Sequence, residues 1–242
     1  MLHWLSLFQV ITNINIFNYY LCSVMINCLI FDFDGTLADT NEGIVRTFQE
    51  TLKAMGIPDP GRERITSTIG LCLKDGFKAG VDGLTDEQAD EAVVTYRRFF
   101  DNIAIPLTTG FPGAAEVTEE LFKRGYLMLI ATSRSAHSLN VLARNISVAD
   151  FFHASYTADD VIRHKPAPDL ALLALEKHNV KGENALVIGD TIYDLKMGKD
   201  AGCKVCGVTW GNQTREQLET AHPDYIIDTL EELFEVLDKE NS

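Results

Sequence analysis

Four short, uninterrupted apolar runs set the strongest limit on what this chain can fold into: Cys28 to Phe31, Leu127 to Ala131, Ala185 to Ile188 and Val205 to Val208. Continuous apolar runs of this length, without polar alternation, read as strands buried on both faces, the kind found in parallel sheets covered by helices. A weaker run covers Tyr225 to Ile227. Helical periodicity fills the intervals, over Ala114 to Arg124, Ala136 to Arg144, Leu170 to Lys177 and Ile192 to Ala201. The alternation predicts an α/β fold, a doubly wound parallel sheet with function at the carboxyl ends of its strands.

The first run stops at Asp32-Phe33-Asp34-Gly35-Thr36. Two carboxylates at the tip of a buried strand are costly unless a cation compensates, so the pair calls for a bound metal, a lysine or both. Other strand ends supply partners. The second run is followed by Thr132-Ser133-Arg134; Lys165 sits in Arg163-His164-Lys165-Pro166-Ala167-Pro168; the third run continues into Gly189-Asp190-Thr191-Ile192-Tyr193-Asp194. Taken singly, each has a plain structural explanation, since a Thr after a strand or an Asp before a helix commonly caps that helix. Their joint order makes coincidence a poor account.

One interval breaks the rhythm. Between the first run and Leu127 lie about ninety residues, far more than one crossover needs. Ile44, Val45, Phe48, Leu52 and Met55 mark one amphipathic face there, and Ala89, Ala92, Val93, Tyr96, Phe99, Phe100 and Ile103 another. Thr85 and Gln88 have capping-box spacing. A separate helical cap, inserted directly after the acidic pair, is the expectation.

The formal charge of −14 argues against nucleic acid or an anionic membrane surface as the main partner. Five scattered cysteines form no disulfide framework and suit a reducing, cytoplasmic compartment. Cys203-Lys204-Val205-Cys206 has redox or zinc spacing but no second pair beside it, and both thiols are read as structural. The six histidines make no metal-ligand spacing.

Residues 1–24 contain no Lys, Arg, Asp or Glu and mix apolar residues with Asn13, Asn15 and Asn18. They lack the basic start and small-residue cleavage site of a signal peptide and only approach a membrane span. The segment is expected to be a non-essential extension or to precede the natural start at Met25, with a packed extra element or a membrane anchor as alternatives.

In its ordered motifs the chain resembles the haloacid dehalogenase superfamily of Mg²⁺-dependent phosphohydrolases, over roughly residues 26–237. The motifs are Asp32-Phe33-Asp34-Gly35-Thr36, Thr132, Lys165, and Gly189-Asp190 with Asp194. The helical insertion resembles the small C1-type cap of the phosphoglycolate phosphatase-like subgroup, as do Phe111-Pro112-Gly113 and Gly207-Val208-Thr209-Trp210-Gly211. The resemblance implies a catalytic core over 25–41 and 108–242 and a helical cap over 42–107.

It also implies roles. Asp32 is the nucleophile that forms an aspartyl-phosphate, and Asp34 the general acid and base. Thr132 and Lys165 bind and neutralise the transferring phosphoryl group. Gly35, Thr36, Ser133 and Arg134 are expected around the phosphate and substrate. Mg²⁺ is expected on Asp32 and Asp190 and on the backbone carbonyl of Asp34, with Asp194 joining through a bound water or Lys165. The implied reaction is hydrolysis of a small phosphomonoester by a monomer or homodimer. A β-phosphoglucomutase-like sugar phosphomutase and an inorganic pyrophosphatase are the alternatives, and a phospho-receiver or silent binding module ranks last. Specificity is expected from Ile69-Gly70-Leu71-Cys72-Leu73-Lys74, where Lys74 reads as solvated or as a contact for a second anion.

Overall fold

Apolar side chains on both faces put β1 (Cys28–Phe31) at the centre of a six-stranded parallel sheet. The computed structural model describes residues 25–242, so the expectations for 1–24 lie outside the described residues. β1 pairs with β4 (Leu127–Ala131) on one side and β6 (Ala185–Gly189) on the other, Phe31 aligning with Ile130 and Ile188. β5 (Ala154–Tyr156) extends the sheet beyond β4, and β7 (Lys204–Val208) and β8 (Tyr225–Ile227) extend it beyond β6.

Alternate side chains of β1 feed two separate apolar layers. Leu29 and Phe31 pack with α5 (Ala114–Lys123), α6 (Ala136–Asn145) and α10 (Leu233–Glu240). Cys28 and Ile30 pack with α7 (Asp169–His178), α8 (Ile192–Asp200) and α9 (Arg215–Glu219). Period-two alternation thus serves helices on both faces, and the expected doubly wound sheet is the one observed. The strand missing from the sequence reading is β5, a three-residue edge strand of Ala, Ser and Tyr with no apolar run to mark it.

The interval after β1 is helical, as expected. It holds α1 (Asn41–Ala54), α2 (Arg62–Thr66), α3 (Leu73–Gly80) and α4 (Asp86–Ile103). Thr85 and Gln88 close a reciprocal capping box at the start of α4. Val45, Phe48 and Leu52 of α1 meet Phe77 of α3 and Ala92, Tyr96 and Phe100 of α4. Phe48 and Phe77 stack with ring centroids 4.0 Å apart, and Tyr96 meets Phe77 edge-on at 6.1 Å. The chain enters and leaves this bundle through a two-stranded ribbon, β2 (Ala38–Asp39) paired antiparallel with β3 (Thr109–Gly110).

Cys203 and Cys206 are buried and free, in keeping with structural thiols, and burial pushes the Cys203 thiol up to about 12. No helix among the described residues is long and apolar enough to cross a membrane.

Because Phe77 is fully buried and touches rings from two other helices, Phe77→Ala should leave a cavity that the bundle cannot close. The expected loss is about 3–5 kcal/mol of unfolding free energy, read by urea denaturation.

Candidate active site

The sheet order reverses direction at β1, so the loops leaving β4, β1 and β6 diverge and open a crevice at their carboxyl ends. Asp32 stands at the floor of it. Its amide donates to the Ile188 carbonyl at 2.8 Å, which carries the sheet register one residue past β1 and holds its carboxylate in place.

Lys165 is the centre of the charge arrangement. Its Nζ donates to Asp32 Oδ1 and to Asp194 Oδ1, both at 2.6 Å, and all three side chains are buried. Burial works against the ammonium, but Asp194 and Asp32 outweigh it and hold the Lys165 pKa above its ordinary value. The other oxygen of Asp194 accepts from Thr191 N at 3.0 Å and Thr191 Oγ1 at 2.6 Å, capping α8. Helix capping and charge pairing therefore use different atoms of one carboxylate.

Asp190 is fixed from the side of β7. Asn212 donates to its Oδ2 through both N and Nδ2, each at 2.7 Å. Gly35, at φ +79°, passes so close that a Cβ there would stand 2.1 Å from Asp190 Oδ2, which glycine alone permits. Thr36 is buried beside them with its Oγ1 3.5 Å from Asp190 Oδ1, and Trp210 Nε1 donates to the Thr36 carbonyl at 3.1 Å.

Carboxylate oxygens of Asp32, Asp190 and Asp194 lie within 4.8 Å of one another. One ammonium against three carboxylates leaves a formal charge of −2 in a buried site. Burial, with the Asp194 charge beside it, pushes Asp190 up to about 7, and the Asn212 donors act in the opposite direction. Burial likewise holds Asp32 well above the usual carboxylate range, with Lys165 opposing and the neighbouring carboxylates adding. An all-oxygen donor set short of two positive charges fits a hard divalent cation.

Asp34 lies outside that cluster. Its Oδ1 accepts from Arg134 Nε at 2.9 Å, from Arg134 Nη2 at 2.5 Å and from Thr40 Oγ1 at 2.5 Å. Arg134, expected around the phosphate and substrate, lines the cavity that holds Asp32 and is committed there to Asp34. Its side chain is 8% exposed and lies near the rings of Phe33 and Phe100, at 6.0 and 5.7 Å. Ser133, grouped by sequence with the phosphate contacts, lines the cavity that holds Asp32 and donates its hydroxyl to the Gly70 carbonyl of the helical insertion at 2.7 Å. Thr132 is fully buried, and its Oγ1 accepts from Arg134 N at 3.3 Å.

Thr40 and Asn212 were not singled out from sequence, and Trp210 was marked only within Gly207-Val208-Thr209-Trp210-Gly211, with no contact assigned to it. Thr40 carries a readable signal, since a threonine just before an amphipathic helix is a capping residue; here its hydroxyl serves Asp34 instead of the helix. Lys74 forms an ion pair with Asp90 at 2.7 Å. Above the acids a cavity of about 570 Å³ extends under the insertion, with Asp32 and Asp34 in its wall.

Removing the cation at the centre should be strongly destabilising. Lys165→Met is expected to cost about 3–5 kcal/mol at neutral pH in urea titrations, because Asp32 and Asp194 lose their buried partner. Adding Asp32→Asn to that variant should recover part of the loss.

Residues 29–208 match the family model described as haloacid dehalogenase-like hydrolase. A relative from Dickeya dadantii named "Probable phosphatase IndB" is 36% identical over 208 residues, 85% of this chain and 90% of its own. Pyrophosphatase PpaX of Anoxybacillus flavithermus is 32% identical over 212 residues, 88% of this chain and 97% of its own. Among solved structures, a haloacid dehalogenase-like family hydrolase from Streptococcus pneumoniae superposes with a TM-score of 0.77 at 30% identity, covering 87% of this chain and 98% of that one. The chain belongs to the haloacid dehalogenase-like hydrolase family.

Proposed function

We propose that this protein is a phosphatase that hydrolyses a small phosphomonoester through an aspartyl-phosphate on Asp32. The observation that carries the reading is the pair of acids two residues apart held in opposite ways, Asp32 by Lys165 and Asp34 by Arg134 and Thr40. The family membership and the phosphatase name of the Dickeya dadantii relative support it.

Lys165 engages only Oδ1 of Asp32, which leaves Oδ2 to attack phosphorus in line as the P–O bond to the alcohol breaks. Thr132 donates its hydroxyl proton to a phosphoryl oxygen, and Lys165 offsets the charge gathered there. Asp34, whose Oδ1 is occupied by Thr40 and Arg134, uses Oδ2 to protonate the departing alkoxide. It then takes a proton from the water that hydrolyses the acyl phosphate, releasing inorganic phosphate and restoring Asp32.

Mg²⁺ is the natural occupant of the Asp32, Asp190 and Asp194 cluster, with the Asp34 carbonyl as a further ligand; it would supply charge neutralisation for an approaching phosphate dianion. Gly35 and Asn212 hold Asp190 for that purpose. We place the enzyme in the cytoplasm, as a monomer or homodimer, with the helical insertion acting as a cap and the β2–β3 ribbon as its hinge.

Hydrolysis of p-nitrophenyl phosphate should therefore require Mg²⁺, stop with EDTA and fall to background in Asp32→Asn. Asp34→Asn should retain Mg²⁺ binding but lose about 10²- to 10⁴-fold in kcat. Undiminished turnover in Asp32→Asn would remove Asp32 as the nucleophile.

A further inference from the structure

The cavity over Asp32 is larger than a phosphoryl group needs, and its wall changes character away from the acids. On the side of the helical insertion it includes Ile44 of α1, Ile69 and Leu71 of the connecting loop, Leu73 of α3 and Val93 of α4, beside the polar Thr68, Lys74, Asp90 and Arg97. Ile44, Leu71, Leu73 and Val93 are only half-buried, and the surface they leave open includes the cavity wall. Leu73 and Val93 pack on one side against the apolar core of the insertion, and the faces that they, Ile44 and Leu71 leave open share one cavity with Asp32; apolar faces turned to a concave site of this kind mark binding surfaces.

Charge in the upper cavity is largely answered within the protein. Lys74, at the start of α3, pairs with Asp90 at 2.7 Å, and Arg134 pairs with Asp34 at 2.5 Å. Arg97 reaches the cavity from an exposed position on α4. The insertion is also seated on the core where this wall begins. Gly70, at φ +100°, accepts from Ser133 at 2.7 Å, and a Cβ on it would come within 3.2 Å of Tyr193 and 3.3 Å of Thr191. Ile69 and Leu71, on either side of Gly70, are thus held at a set height above the nucleophile.

We infer that the alcohol released from the phosphomonoester carries an apolar body of several carbons, alkyl or aryl, which lies against Ile69, Leu71, Leu73 and Val93 while its phosphate meets Asp32. The inference rests on the phosphatase reading and narrows it. Pyrophosphate and phosphoglycolate bring no such surface and would leave the aliphatic wall facing water. Each methylene moved from water to this wall contributes a roughly constant increment, so affinity should climb with chain length until the cavity is full.

Binding of n-alkylphosphonates, which carry the phosphate-like head but no scissile ester, reads the wall without any turnover. Calorimetry of the ethyl to hexyl series, with Mg²⁺ present, should show Kd falling about three- to fourfold per methylene. Leu71→Asn and Val93→Asn, made separately and checked for unaltered thermal unfolding, should each flatten the slope. A flat series in the unsubstituted protein, or an unchanged slope in both variants, would overturn the inference. If p-nitrophenyl phosphate is hydrolysed while the series is flat, the phosphatase reading stands alone. A steep series without hydrolysis of any ester would keep the apolar site and remove the phosphatase.

Discussion

The buried bridge of Lys165 to Asp32 and Asp194 is the interaction on which the rest of the site depends. Three carboxylates cannot share a desolvated crevice without a cation, and a lysine reaching from the loop between β5 and α7 ties together groups from β1 and α8. The bridge is also incomplete by design of the charge count. It leaves the cluster attractive to a further cation.

Two aspartates separated by a single residue end up in contrasting surroundings because alternate residues after a strand face different ways. Asp32 faces the ammonium and the acidic cluster, whereas Asp34 faces a guanidinium and a hydroxyl. Paired carboxylates acquire distinct chemical duties when their environments differ, and here the difference is produced by Arg134 and Thr40 as much as by Lys165. Arg134 in turn is buried beside Phe33 and Phe100, so its position depends on residues of both the core and the insertion.

The central strands were legible because a strand covered on both faces has no polar residue to obscure it; β1 and β4 begin and end where the apolar runs do. β5 was hidden because an edge strand of three residues needs no such run. The acids and Thr132 could be named since each follows an apolar run, and Lys165 because it takes its place in the ordered motifs of the resemblance. What could not be read was their division of contacts. Arg134 and Ser133 were visible as polar residues near the site, but whether they face a ligand, Asp34 or Gly70 depends on side-chain direction. Asn212 and Trp210 come from the far end of the chain and reach Asp190 and Thr36 through the order of strands, a relation no local pattern encodes.

The β2–β3 ribbon has an architectural consequence. Since Ala38 lies opposite Gly110, the two crossings of the chain between sheet and helical bundle are side by side. The whole bundle is therefore, in topological terms, the loop of a hairpin, and its replacement or drift leaves the strand order beneath undisturbed. A chain built in this way can keep one reactive floor through changes of clientele, because the part that meets the variable portion of a ligand is spliced in at a single point.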